Sequence, residues 1–138
     1  MSRTLSKINS KTKKEILSNC TIHRETRNYL PFVLSTLCLE YLYDIKEEPL
    51  IGAIRMNDTH LLKYLVSKNI GVGELYEWGI LPAFECTALM YAAHTGRYKC
   101  VAILAKTKEL GMKESMGRTA LILAAHEGHD KCVAILAN

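Results

Sequence analysis

One nineteen-residue stretch of this chain is written twice, and that repetition constrains the fold more than any other feature. From Thr87 to Ala105 the chain reads Thr-Ala-Leu-Met-Tyr-Ala-Ala-His-Thr-Gly-Arg-Tyr-Lys-Cys-Val-Ala-Ile-Leu-Ala. From Thr119 to Ala137 it reads Thr-Ala-Leu-Ile-Leu-Ala-Ala-His-Glu-Gly-His-Asp-Lys-Cys-Val-Ala-Ile-Leu-Ala. Fourteen of the nineteen positions are identical, at an offset of 32 residues. A period of that size marks an architecture in which each copy is one small unit that buries its apolar face against a neighbour.

Each copy predicts two short antiparallel helices. Thr87 and Thr119 are suited to cap a helix, because a threonine hydroxyl accepts from a free amide of the first turn. Leu89, Ala92 and Ala93 form one face of that helix, and the alanines allow a second helix to come close. Gly96 and Gly128 fall where the helix must stop and reverse, a position that calls for positive φ. Val101 and Leu104 then give the inward stripe of the second helix, with Cys100 as a small apolar neighbour. Neither helix is long enough to be stable alone.

A third, worn copy precedes these two. Glu48 to Val66 aligns without gaps: Leu50 with Leu89 and Leu121, Ala53 with Ala92 and Ala124, Leu62 with Val101 and Val133, and Leu65 with Leu104 and Leu136. Pro49 suits a first helical turn, where its missing N–H leaves nothing unbonded. Asn57 replaces the turn glycine, which fits, since asparagine also visits the left-handed region. The interval to the next copy is 39 residues, seven more than the later one. The excess lies in residues 67–84, where Gly71, Gly73, Gly79 and Pro82 predict a loop. Its Leu75, Tyr76, Trp78, Ile80 and Leu81 are apolar enough to fold back on the repeats.

Ahead of the copies, Leu34, Leu37, Cys38, Tyr41 and Ile45 fall at helical spacing, predicting a helical cap over residues 29–47. Residues 1–28 hold seven Lys or Arg against two Glu, whereas the whole chain is only +4, so the basic character sits in this stretch. It reads as a disordered tail, with a short helix around Lys13 to Ser18 at most. The five cysteines lack close spacing, so the reading is reduced thiols in a cytoplasmic protein and neither a disulfide framework nor a zinc site. Tyr29 to Leu39, the most apolar segment, is too short to span a bilayer and has no signal-peptide layout. The matches to the glycosylation sequon at Asn19 and Asn57 carry no weight without one.

The shared pattern Thr-Ala-Leu-x-x-Ala-Ala-x-x-Gly-x-x-x-x-Val-x-x-Leu resembles the ankyrin repeat. It departs from the usual motif at Ala88 and Ala120, where proline is common, and at Met90 and Ile122, where histidine is. Gly117-Arg118-Thr119 matches the family's Gly-x-Thr opening, and Glu85-Cys86-Thr87 lacks the glycine. The connector from Glu109 to Gly117 is one residue shorter than the standard repeat, a variant that looks like the large ankyrin families of flagellate protists. The resemblance covers residues 48–138. It implies an all-α ankyrin-repeat solenoid of stacked helix–turn–helix units, divided into 48–66 (degenerate), 67–84 (insertion), 85–116 (a full repeat) and 117–138 (a truncated last repeat).

The resemblance also implies where a partner would touch: the connector tips and the exposed end of each first helix. Carried over by position, these are Glu47, Arg55 and Met56 in the worn copy and Phe84, Cys86, His94 and Thr95 in the next. In the last they are Ser115, Met116, Arg118, His126 and Glu127. No nucleophile–base pair, phosphate-cradling loop or carboxylate pair stands out, and Gly71-Val72-Gly73 falls short of a nucleotide fingerprint. His126 and His129 are three apart, but Gly128 ends the helix between them and no third ligand is evident. The expectation is therefore a noncatalytic scaffold or adaptor that binds a protein, with no cofactor, metal or small-molecule substrate. Two alternatives stand beside it. One is a regulatory or targeting piece of a larger ankyrin protein, and the other a tether to nucleic acid or an anionic membrane through residues 1–28. A last expectation concerns Val133, Ile135 and Leu136, whose helix lacks a polar capping repeat beyond it. It implies a fragment of a longer array or self-association through that end.

Overall fold

The computed structural model describes residues 10–21, 48–77 and 85–138. The chain divides into two compact units, one within Ser2–Gly71 and one within Val72–Asn138. The expected cap at 29–47 lies outside the described residues, as do Glu47, Phe84 and Trp78.

In the first unit, helix α1 (Ser10–Asn19) is followed by α2 (Pro49–Arg55) and α3 (Thr59–Ser67). The last two form the worn copy. Leu50, Ala53, Leu62 and Leu65, the apolar positions that the alignment picks out, are completely buried, and so are Ile54 and Leu61. Asn57 turns the chain between the helices at φ +53°.

Of the stretch expected as a tail, residues 10–21 are described, and the short helix expected around Lys13 to Ser18 is there as the longer α1. Residues 10–21 are folded: α1 packs on α3, burying Ile16, Leu17 and Cys20. Asp58 explains how so polar a helix is held. Its carboxylate caps α3 by accepting from the Leu61 N–H at 3.1 Å, and it also accepts from the Thr21 N–H and hydroxyl, both at 2.8 Å. The Tyr64 hydroxyl donates to Glu15 at 3.1 Å on the same seam. Burial, reinforced by the Asp58 charge, pushes the Cys20 thiol up to about 12, so it stays protonated.

The second unit opens with a two-stranded antiparallel pair, β1 (Tyr76–Glu77) and β2 (Glu85–Cys86), with Tyr76 opposite Cys86. The insertion is therefore partly sheet and not wholly loop. Alternation along a strand turns Tyr76 and Cys86 inward and leaves Glu77 and Glu85 exposed. Two copies follow, α4 (Ala88–His94) with α5 (Tyr98–Leu104), and α6 (Ala120–His126) with α7 (Asp130–Ala137). The first helix of one copy packs on the first helix of the next, α4 on α6, and α5 packs on α7. Ala88, Ala92, Ala93 and Ala124 are completely buried, so the helices meet with almost no side chain between them. Lys131 Nζ lies 4.8 Å from the centre of the Tyr98 ring, a cation–π contact from α7 to α5.

Thr87 and Thr119 cap as expected, each hydroxyl accepting from the amide three residues on, at Met90 (3.3 Å) and Ile122 (3.4 Å). Gly96 and Gly128 both reverse the chain at positive φ, +74° and +75°. They differ in their surroundings. A Cβ at Gly96 would lie 2.8 Å from the His129 ring, whereas one at Gly128 would meet nothing. Gly128→Ala is expected to lower stability by about 1 kcal/mol, the left-handed penalty alone. Gly96→Ala should cost about 2–3 kcal/mol, because the ring must also move. Chemical denaturation of the two variants checks the order, and equal losses would contradict the packing of His129 on Gly96.

Candidate functional site

The residues expected to meet a partner fall into two groups in the second unit. The first is the connector turn. Glu114 to Gly117 forms a β-turn closed by the Gly117 N–H donating to the Glu114 carbonyl at 2.8 Å, with Gly117 at φ +79°. The Glu114 side chain folds into this turn and organises it. One carboxylate oxygen accepts from the Arg118 N–H and Nε, both at 3.0 Å; the other accepts from the Met116 N–H at 3.0 Å and the Ser115 hydroxyl at 3.3 Å. Burial alone would raise the Glu114 pKa. The amides of Met116 and Arg118, with the Arg118 guanidinium, outweigh burial and hold the carboxyl below its ordinary value. The braced turn leaves Met116 69 % exposed, the most exposed large apolar side chain among the described residues.

The second group sits at the ends of α4 and α6. His94 Nε2 and His126 Nδ1 lie 3.3 and 3.0 Å from the same oxygen of Glu127. The hydrogen bond from His126, then the charge of His94, hold the Glu127 carboxyl low. Burial pushes the His94 imidazole below its ordinary value, against the pull of Glu127. His129 is placed differently. Its Nε2 is 2.8 Å from the His94 carbonyl oxygen, so that nitrogen carries the proton and donates to the end of α4. The histidine pair weighed for metal binding is thus engaged elsewhere, His126 with Glu127 and His129 with a backbone carbonyl. Among the described residues no group of three His, Cys, Asp or Glu is arranged to hold a metal ion.

Of the other expected contacts, Arg55 and Thr95 are exposed, Met56 and Arg118 partly so, and Glu47 and Phe84 lie outside the described residues. Cys86 is a correction. It is 2 % exposed, because strand alternation in β2 turns it inward, and it offers no side-chain surface.

Sequence reasoning missed both buried glutamates. Glu109 sits in a short 3₁₀ turn (Lys108–Gly111), 1 % exposed. Its two oxygens accept from the Gly73 and Leu89 amides, each at 2.8 Å, so it ties the start of the unit to the first turn of α4. Burial raises its pKa in spite of those two bonds. No pattern signals Glu109, since the chain holds one such connector and nothing to compare it with. Glu114 was legible in part, because a glycine three residues on is a turn signature.

The shifts set the pH behaviour. A carboxyl whose folded pKa is depressed, as at Glu114, stabilises the fold fully at neutral pH, and that contribution is lost as the pH falls through and below the ordinary carboxylate range. Glu114→Gln is expected to lose about 2 kcal/mol at pH 7, from hydrogen bonds to a charged acceptor. The gap to the parent should close near the acid end of a pH series of thermal melts. A gap that stayed constant with pH would show that the charge of Glu114 contributes nothing.

Compared with known families, the chain matches a model of ankyrin repeats in three copies, over residues 22–109 and 50–138. No curated protein and no solved structure shows significant similarity to it. Ankyrin repeats are generally protein–protein interaction modules. The paired short helices, their threonine caps and left-handed turns agree with that match: the chain belongs to the ankyrin-repeat family.

Proposed function

We propose that this chain is a noncatalytic scaffold or adaptor that binds a protein partner through Ser115, Met116 and Arg118 of the connector turn and through His94, Thr95, His126 and Glu127 at the helix ends. Arg55 and Met56 of the worn copy, with Glu47 and Phe84, are the further contact positions that the ankyrin resemblance implies. The observation that carries this reading is Met116, an apolar side chain 69 % exposed on a turn held by four hydrogen bonds to one carboxylate. A preorganised turn loses little freedom on binding, and binding energy concentrates in a few such anchors. Arg118 serves a double role, since it also braces Glu114.

The cytoplasm is the compartment we infer. The cysteines lack close spacing in the sequence, and Cys20, Cys86, Cys100 and Cys132 are all buried, which suits a protein that keeps its thiols reduced. No helix among the described residues is long and apolar enough to cross a membrane. We also read the short connector as placing the chain near the large ankyrin families of flagellate protists.

A second reading, attachment to an anionic surface through the basic N-terminal stretch, is favoured by Lys11 and Lys14, both exposed on α1. Deleting residues 1–28 would strip α1 from α3, so charge is the better probe. Lys11→Gln with Lys14→Gln should leave partner recovery unchanged; salt-sensitive recovery lost in this variant would favour the tether.

The main test compares proteins captured by the immobilised chain and by its Met116→Ala variant, identified by mass spectrometry. A partner recovered by the parent and reduced about tenfold or more by the variant is expected, with unchanged helical circular dichroism. Equal recovery by both would remove the turn from the binding surface.

A further inference from the structure

Three of the chain's five histidines meet at one end of the second unit, and all three bear on the joint between its two copies. His94 ends α4 in the first copy, and His126 ends α6 in the second. Their ring nitrogens lie 3.3 and 3.0 Å from one oxygen of Glu127. His129, just ahead of α7, reaches back across the joint and donates to the His94 carbonyl at 2.8 Å, with its ring against Gly96. His94 is therefore the point through which the copies meet at this end: its side chain faces Glu127, and its carbonyl holds His129. The charged groups that face it are Glu127 and His126 from α6 and its end, His129 from the turn before α7, and Arg118 from ahead of α6. Arg97 and Lys99, exposed where α5 begins, add positive charge at the same end, and Asp130 and Lys131, exposed where α7 begins, offset one another.

We propose that this cluster makes the joint between the two copies acid-sensitive, firm at neutral pH and loosened as the histidines take up protons. Above about pH 7 the imidazoles are neutral, and the four side chains carry only the charge of Glu127. Below about pH 6 three imidazolium ions surround one carboxylate, which can match a single positive charge. The surplus falls across the joint, on His94 of one copy and on His129 and His126 of the next. Burial resists charge on His94; Glu127 pulls against that resistance, and His129, Arg118 and His126 add to it, so its pKa lies below the ordinary value. A histidine depressed in this way contributes stability that is full above its unfolded pKa and is lost as the pH falls below it. The window lies above the carboxylate range, where Glu114 and Glu127 take up their protons, so the two losses separate along a pH series. The helix-end surface changes from net negative to net positive over the same window. The device belongs to the chain alone and stands whether or not a partner binds the connector turn.

NMR of the imidazole protons of the full chain, from about pH 8 to about pH 5, tests this directly. His94 is expected to titrate below its ordinary value. His129→Gln removes a competing charge while its amide can keep the bond to the His94 carbonyl, so the His94 pKa should rise; Glu127→Gln should lower it further. Urea denaturation of the parent should show stability falling between about pH 7.5 and about pH 5.5. His129→Gln should lose less over that interval and Glu127→Gln more. In the parent, amide protection in α6 and α7 should fall several-fold over the same interval, after correction for the intrinsic pH dependence of exchange, and return at neutral pH. This last readout needs no variant. A His94 that titrates at or above its ordinary value, a His94 pKa that neither substitution moves, or a parent equally stable at both ends of the interval would each overturn the proposal.

Discussion

A seven-residue helix has more unbonded backbone ends than internal hydrogen bonds, and almost everything else in this protein answers that constraint. The first four amides and last four carbonyls of such a helix find no partner within it. Here the partners come from outside. Thr87, Thr119 and Asp58 cap from the preceding residue, Glu109 reaches the Leu89 amide from the following connector, and His129 donates to the last carbonyl of α4 from the next copy. Each of the last two bonds crosses from one element of the array to another. Capping and stacking are therefore one process, and a copy without its neighbour would lose both its apolar cover and part of its hydrogen bonding.

The same economy shapes the charges. Asp58, Glu109 and Glu114 are all buried, and each spends its oxygens on backbone amides. Their pKa shifts need not agree in direction, because they measure a balance. At Glu114 the amides and the Arg118 guanidinium outweigh burial, and the pKa falls; at Glu109 two amides do not, and it rises. What the carboxylates achieve is geometric in both cases. One holds a turn that presents Met116 to solvent, and the other ties the start of the unit to its first long-range contact.

Legibility in the sequence followed whether a residue's role was repeated. The threonine caps, the reversal at Gly96 and Gly128, the alanine faces and the third copy with Asn57 at its turn could all be read, because copies can be compared position by position. Residues used once were harder to see. Glu109 and Glu114 lie in a single connector, and Asp58 looks like a turn residue until Thr21 is found on it. In the stretch expected as a tail only a short helix could be read, for a related reason. Ile16, Leu17 and Cys20 are too few for a periodic signal, and what orders α1 is its contact with α3, far along the chain.

By itself, then, the sequence determined the repeat, its helices and its family, since a period of 32 residues with fixed caps and turns admits one local solution repeated. Tertiary structure decided what each copy does with that solution. Leu89 and Leu121 are the same residue in the same helix position, yet one is sealed and the other is 36 % exposed. Burial depends on what lies across from a side chain, and periodicity carries no record of that.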